Sequence, residues 1–392
     1  MCGSPPRTLC PVQIDFSASE RASLGIEWEL ELVDKGTGEL TGAASELLTE
    51  MGAGHGGEHP RAKFELLESC VEVITGVCGT VAEAQADLLG TVEELAGAAA
   101  ARGLDLMCSG THPTTDWATQ TISPNPRYAA LIENMQWLAR RLQIFGVHVH
   151  VGIRSPAKVI PIVNALTAYV PHFLALSASS PFWIGTDTGL ASARSKVFEG
   201  LPTAGLPYQL SGWDQFESFM GTLIESGTIS SIKEVWWDIR PHPSFGTVEL
   251  RICDGLPTIA EIGMVAALSQ CLVEQLDSQL DKGYTLPVPK GWVVRENKWR
   301  AARYGLAAHV ITDDCGHTAP VVTLLEELVA DLMPTAQRLG CTEALGTVQT
   351  VLERGASYQR QRAVAAAHGG DLRAVVASLV AEFASGVPGR AP

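Results

Sequence analysis

Three glutamates alternate with apolar residues in LGIEWELELV (24–33), and this run constrains the fold more than anything else in the chain. Period-two alternation makes it a strand with Ile26, Trp28, Leu30 and Leu32 on one face and Glu27, Glu29 and Glu31 on the other. Successive side chains on that second face stand ~7 Å apart, so three like charges in a row repel one another unless something positive covers them. A merely solvated strand face mixes Lys, Thr and Ser with its acids, and this one does not. Three further segments repeat the pattern. In GVHVHVGI (146–153) the valines face one way and His148 and His150 the other; WWDIRP (236–241) places Asp238 and Arg240 on its polar face, and TVELRIC (247–253) places Glu249 and Arg251 there.

One such strand is ordinarily half of an antiparallel sheet with a wet face. Four together point to a built site. Carboxylates with imidazole and no thiolate suit Mg²⁺, with Mn²⁺ as an alternative, better than Zn²⁺. A fifth segment, KFELLESCVEVIT (63–75), adds Glu65, Glu68 and Glu72. Glu65 and Glu72 are of opposite parity, so both reach one site only if a bulge or loop interrupts the strand; Glu68 is expected to be a structural carboxylate. Many acids converging on one sheet face, with arginines at its margin, suit metal ions that hold a polyphosphate while cations neutralise a moving phosphoryl group. A two-carboxylate glycosidase needs neither so many acids nor the arginines. The chain has no G-x-x-x-x-G-K-[ST] loop, its GAGHGG run fails the dinucleotide pattern, and it has no G-x-S-x-G elbow.

With 28 basic and 43 acidic residues the formal net charge is −15, which argues against a nucleic-acid partner. The nine cysteines are scattered without a C-x-x-C pair and read as reduced cytoplasmic thiols. An uncharged stretch between Lys158 and Asp187 is long enough to span a bilayer, but Pro161, Asn164, Pro171 and His172 interrupt it, and we expect a buried core helix and loop. Residues 1–22 are expected to form a flexible leader and 386–392 a flexible tail, with no linker to divide the 23–385 span into separate domains. Helices are predicted at 80–102, where Thr80 and Glu83 make a capping box and Gly103 a stop, and at about 126–145, 158–178, 213–226, 258–282, 320–338, 343–354 and 371–385. GAGHGGEHP (52–60) is expected to be a solvent loop. A length of 392 residues allows one large α+β unit.

Seven segments in collinear order carry a resemblance: GIEWELELVD (25–34), ESCVEVITGVC (68–78), GTHP (110–113), FGVHVHVG (145–152), ASSPFWIGTDTGLASAR (178–194), WWDIRPHPSFGTVELRICD (236–254) and ENKWRAARYG (296–305). Together they resemble the carboxylate–amine ligase family, glutamate–cysteine ligase type 2, over about residues 23–385. The resemblance implies a glutamine-synthetase-like catalytic domain, a curved antiparallel sheet backed by helices, with L-glutamate and ATP meeting over its concave face around Mg²⁺ ions. It implies Glu27, Glu29, Glu65, Glu72 and Glu249 as metal ligands. His148, Arg251 and Arg240 are implied as the catalytic groups that offset phosphoryl charge, and Arg194, Arg303, Asn297 and His150 as groups that hold the nucleotide. The partners implied are small molecules, glutamate and an amino acid amine, without nucleic acid or membrane and with a homodimer left open. Cysteine is the family's named acceptor, and a non-protein amino acid of similar size fits the same residues. A non-catalytic relative that binds glutamate or ATP is the alternative of another class.

Overall fold

The acid-bearing run becomes the middle of the main sheet. Strands β1 (Leu24–Asp34), β2 (Ala62–Phe64), β3 (Cys70–Ile74), β4 (Leu104–Met107), β5 (Val147–Gly152), β6 (Ile239–His242) and β7 (Thr247–Leu250) join in the order β6-β7-β5-β1-β3-β2, with β4 also paired to β1. Every pairing is antiparallel. The structure is a computed structural model that describes residues 13–386.

Register follows the alternation. Leu24, Ile26, Trp28, Leu30 and Leu32 are at most 2% exposed and pack with Val147, Val149 and Val151 of β5 and Val248 and Leu250 of β7 into the principal core. A leucine or isoleucine so buried contributes ~1.5–3 kcal/mol, so a one-residue slip, which turns this whole face outward, is excluded. Trp28 satisfies its indole N–H on the carbonyl of Leu256 at 3.1 Å. Behind the sheet lie the helix Val81–Ala100, opened by the Thr80/Glu83 capping box, and the helices Pro156–Leu166, Val170–Ser177 and Ile259–Asp281, all contributing to the same core. Pro156–Ser177 and Ile259–Asp281 are long and apolar enough to cross a membrane by length and composition, and their apolar windows are 83% and 78% buried inside the protein.

Several expectations need correction. The helix foreseen over 126–145 breaks into Pro126–Met135 and Trp137–Arg140, because Gln136 takes a positive φ of 46°. The 158–178 helix is divided by a 3₁₀ turn at Thr167–Tyr169 just before Pro171. The helices Ala44–Ala53, Ala193–Phe198, Gly291–Tyr304 and Ser357–Ala367 were not foreseen. WWDIRP is not one strand: Trp236–Trp237 pairs with Ala204–Gly205, and the chain turns at Asp238 before β6. Of the expected leader, residues 1–12 lie outside the described residues, as do 387–392 of the tail. Residues 13–22 are tied down: Phe16 meets Trp213 edge to face at 5.3 Å, and Arg21 Nε donates to Glu274 at 2.6 Å. The described cysteines are free thiols.

Candidate active site

The sheet register brings the acids and bases of four strands onto one surface. Glu29 stands directly opposite Glu72 across β1 and β3, Glu27 opposite His148 across β1 and β5, and Glu249 opposite both His150 on β5 and Arg240 on β6. Above them lies a cavity of about 890 Å³ lined by Glu27, Glu29, Glu65, Glu72, His148, Arg194, Arg240 and Arg251, with Leu131, Met135 and Phe198 among its apolar walls. The parity problem at Glu65 is settled by the turn between β2 and β3: the strand stops at Phe64 and restarts at Cys70. Glu68 is used up outside the site, capping the helix Ala44–Ala53 by accepting from Ser45 N at 3.1 Å and from Ser45 Oγ at 2.6 Å.

Two electrostatic environments share the surface. On the β5 side, His148 Nδ1 lies 2.9 Å and His150 Nε2 3.2 Å from Glu27. Burial pushes the Glu27 carboxyl up, but these two bonds outweigh it and hold Glu27 well below the usual range. Burial and the Arg251 charge lower His148 to about 4, so at neutral pH it bonds as an uncharged imidazole. His150 is raised instead: burial works against its charge, and Glu249 and Glu27 prevail. Glu249 is fully buried, yet Arg240 and Arg251 keep it ionised against that burial. Arg240 reaches it with Nε at 2.8 Å and Nη2 at 2.7 Å, and Arg251 donates to its other oxygen.

On the β3 side the carboxylates outnumber their partners. Burial and the neighbouring Glu65 raise Glu29 to about 8. Glu72 is raised well above its ordinary range by burial and by Glu27, Glu65 and Glu29, and burial likewise raises Glu65. Ligand atoms of Glu29, Glu65 and Glu72 lie within 4.8 Å of one another, as do those of Glu27, Glu72 and His148, and of Glu27, His150 and Glu249. Half-buried acids crowded to this extent fit hard divalent cations held by oxygen, and the donor set matches Mg²⁺ or Mn²⁺.

Not every expected residue is here. Glu31 is fully buried beneath Ser109, which donates to it from N at 2.8 Å and Oγ at 2.9 Å, and burial raises it to about 8. Asp238 instead pairs with the buried Lys298 at 2.6 Å. His150 lies beside the cavity lining, orienting Glu27 and bonded by Nδ1 to Thr247 Oγ1 at 2.9 Å. Asn297 and Arg303 do not line the cavity: Asn297 spends both ends of its amide on Ile311, at 2.7 and 2.9 Å, and Arg303 donates to the carbonyl of Gly189. Arg194 does line it. Its guanidinium passes so close to Gly146 that any side chain there would collide, and it lies 4.0 Å from Asp254. Asp254 accepts from Ser179 N at 3.0 Å, Ser180 Oγ at 2.6 Å and Ser192 Oγ at 2.8 Å, fixing the segment that carries Arg194. Arg127, Tyr128, His242 and Phe245 also line the cavity, and nothing in the local sequence marks them beyond their place between recognisable strands.

An antiparallel sheet whose one face gathers carboxylates, imidazole and arginines over a helix-backed core has the make-up of a carboxylate–amine ligase. The model of glutamate–cysteine ligase family 2 matches residues 23–378, and the chain belongs to that family of ATP-dependent carboxylate–amine ligases. It is 62% identical over 378 residues, covering 96% of this chain and 99% of the relative, to the provisionally named glutamate–cysteine ligase 2-1 of Frankia alni. It is 57% identical to the similarly named glutamate–cysteine ligase 2 of Thermobifida fusca, covering 96% and 94%. Among solved structures, the fold resembles glutamate–cysteine ligase from Francisella tularensis in complex with AMP, at a TM-score of 0.67 and 13% identity over 95% of this chain and 90% of that one. It also resembles a bifunctional glutathione synthetase from Pasteurella multocida, at a TM-score of 0.66 and 15% identity over 93% of this chain, which spans about half (52%) of that larger protein.

Proposed function

We propose that this protein joins the γ-carboxylate of L-glutamate to the amine of cysteine, or of an amino acid of similar size, in the cytoplasm, through a γ-glutamyl phosphate and with release of ADP and phosphate. The observation that carries this reading is the meeting in one cavity of a cation-hungry cluster, Glu29, Glu65 and Glu72, with three arginines, Arg194, Arg240 and Arg251. A carboxylate is a poor acyl donor, and its conversion to an acyl phosphate requires many negative charges to be held together. Glu27, Glu29, Glu65, Glu72 and Glu249 are the residues that would hold Mg²⁺, which when bound supplies Lewis-acid neutralisation of phosphate oxygens. The chain's own cations do the rest. Arg251 extends from the end of β7 toward the cavity and offsets charge that develops on the transferred phosphoryl group. Arg240 keeps Glu249 ionised and in place, Arg194 clamps an anionic group of substrate, and neutral His148 donates or accepts a hydrogen bond without adding charge. Glutamate and cysteine are the substrates in the relatives' names, and the identities above 50% along the whole chain favour them here.

The test is product analysis. Glutamate and ATP without amine should release ADP slowly, and hydroxylamine should trap a γ-glutamyl hydroxamate, since it attacks acyl phosphates. Detection of AMP and pyrophosphate instead would replace this mechanism with adenylation. A panel of amines scored for glutamate-dependent ADP release then ranks cysteine against its homologues.

A further inference from the structure

From the packing behind the cavity we infer that Lys298 is a positioning residue, a single buried ammonium group that fixes the spacing of Arg194, Arg240 and Arg251 without touching substrate. The inference rests on the ligase reading above and adds to it the device that holds the arginines in place.

Lys298 belongs to the segment ENKWRAARYG, whose Asn297 and Arg303 fall outside the cavity. It does not line the cavity either, and it is 2% exposed. Its Nζ lies 2.6 Å from Asp238 and 2.5 Å from Glu199. Burial works against its charge, and the two carboxylates prevail. Taking an ammonium group out of water is costly, and a buried ion pair seldom offsets that cost in stability. What this one provides is a fixed separation between two acids, each of which belongs to an element that carries arginine of the site.

Glu199 ends the short helix Ala193–Phe198, which bears Arg194 and Phe198 in the cavity wall. The helix Gly291–Tyr304 holds that short helix from both ends. At its start, Ala191 N and Ser192 N donate to the carbonyl of Ala302 at 2.9 and 3.0 Å. At its finish, Glu199 meets Lys298, while its second carboxylate oxygen accepts from Lys196 at 2.7 Å. A helix of six residues has little stability of its own, so these anchors set where Arg194 stands.

Asp238 governs the other two arginines. It lies two residues before Arg240, and its backbone is pinned on both sides: its N donates to the carbonyl of Gly205 at 2.7 Å, and its carbonyl accepts from Arg251 N at 2.8 Å. Arg194 closes the circuit, with Nη2 3.4 Å from the carbonyl of Arg251. A shift of Asp238 is therefore felt at the roots of Arg240 and Arg251, a shift of Glu199 at Arg194, and Lys298 joins the two. Misplacement of groups around a reacting centre by ~1 Å costs up to ~10²-fold in rate.

The experiment is a pair of double-mutant cycles on the full chain, read as kcat for ADP formation. Lys298→Met, which keeps the length and removes the charge, should lower kcat about 10²-fold. Added to Arg194→Ala it should cost at most about tenfold more, because one of the groups it positions is already gone. Added to Glu72→Gln, whose strand lies on the far side of β1, it should cost the full 10²-fold. Lys298→Arg keeps a buried cation for folding but is longer and forked, and it should hold the parent's unfolding midpoint while losing kcat about tenfold. An unchanged kcat in either Lys298 variant, or an equal further loss in the Arg194→Ala and Glu72→Gln backgrounds, overturns the positioning role, while ADP formation by the parent protein leaves the ligase reading standing. A parent protein that forms no ADP from glutamate and ATP overturns both.

Discussion

Glu29 and Glu72 face each other across β1 and β3 as two half-buried acids whose carboxyl groups are both pushed toward the protonated form. The same strand, two residues earlier, holds Glu27 ionised against a pair of histidines. Adjacent outward positions of one strand thus carry opposite demands, and the predictions follow from that contrast.

ADP formation should require Mg²⁺ or Mn²⁺ and stop in excess chelator. Glu29→Gln mimics the protonated acid that the metal-free site already favours, so its unfolding free energy should change by less than ~0.5 kcal/mol. Its kcat should fall at least ~10²-fold, because several kcal/mol of metal-held charge stabilisation depends on the ionised group. Undiminished turnover in chelator would remove the metal from the mechanism.

His148 and His150 should separate kinetically. His148 lines the cavity and His150 sits beside it, orienting Glu27. His148→Ala should therefore reduce kcat by ~10²-fold or more, as loss of a group at the reacting atoms does, and His150→Ala by distinctly less. The reverse ranking, read from steady-state kinetics, would move the reacting phosphoryl group toward β7.

Arg251→Ala should lose kcat by at least ~10³-fold while the KM for ATP moves little, the pattern expected of a cation acting on charge that appears only in the transition state. Arg251→Lys should recover part of the rate. If only KM changes, Arg251 binds ground-state phosphate and the transition-state role passes to Arg194.

Two buried histidines outside the cavity should make part of the stability depend on pH for a reason unrelated to catalysis. Burial lowers His112 and His172 each to about 4, against an ordinary value near ~6.5. Their folded values lie below the unfolded ones, so the unfolded chain binds more protons between these limits, and stability present above about pH 6.5 is lost as pH falls toward 4. Each contributes up to ~3 kcal/mol. The raised carboxyls of Glu29, Glu31, Glu65 and Glu72 act in the opposite sense over the same window, so the histidine contribution is read as a difference: the gap in urea midpoint between the parent and His112→Gln should be widest at pH 7 and narrow toward pH 4.5. A gap that does not change with pH would show that this imidazole takes up protons as freely as in the unfolded chain.

The apolar faces were legible because alternation fixes which side of a strand is dry: Trp28, Val149 and Leu250 all lie where period two puts them. Parity also identified the problem at Glu65, whose solution was a turn. What escaped were partners distant in sequence. Glu31 has the same parity as Glu27 and Glu29 but is sealed by Ser109, and Asp238 leaves its strand to meet Lys298. Neither contact leaves a mark in the local pattern. The helix Gly291–Tyr304 was missed because it carries Arg295, Glu296, Lys298, Arg300 and Arg303 without a clean apolar stripe, so Asn297 and Arg303 were placed by motif rather than by geometry.

In the strand order, β1 separates β5, β7 and β6 from β3 and β2. The histidines and the Arg240–Glu249 pair belong to the first group, and Glu72 to the second. A molecule lying across this strand therefore passes from a surface that carries cations to one that gathers acids within two interstrand spacings of ~5 Å each. The fold acts as a compass: an elongated ligand with one anionic end and one cation-carrying end has one comfortable heading, set before any individual contact is made.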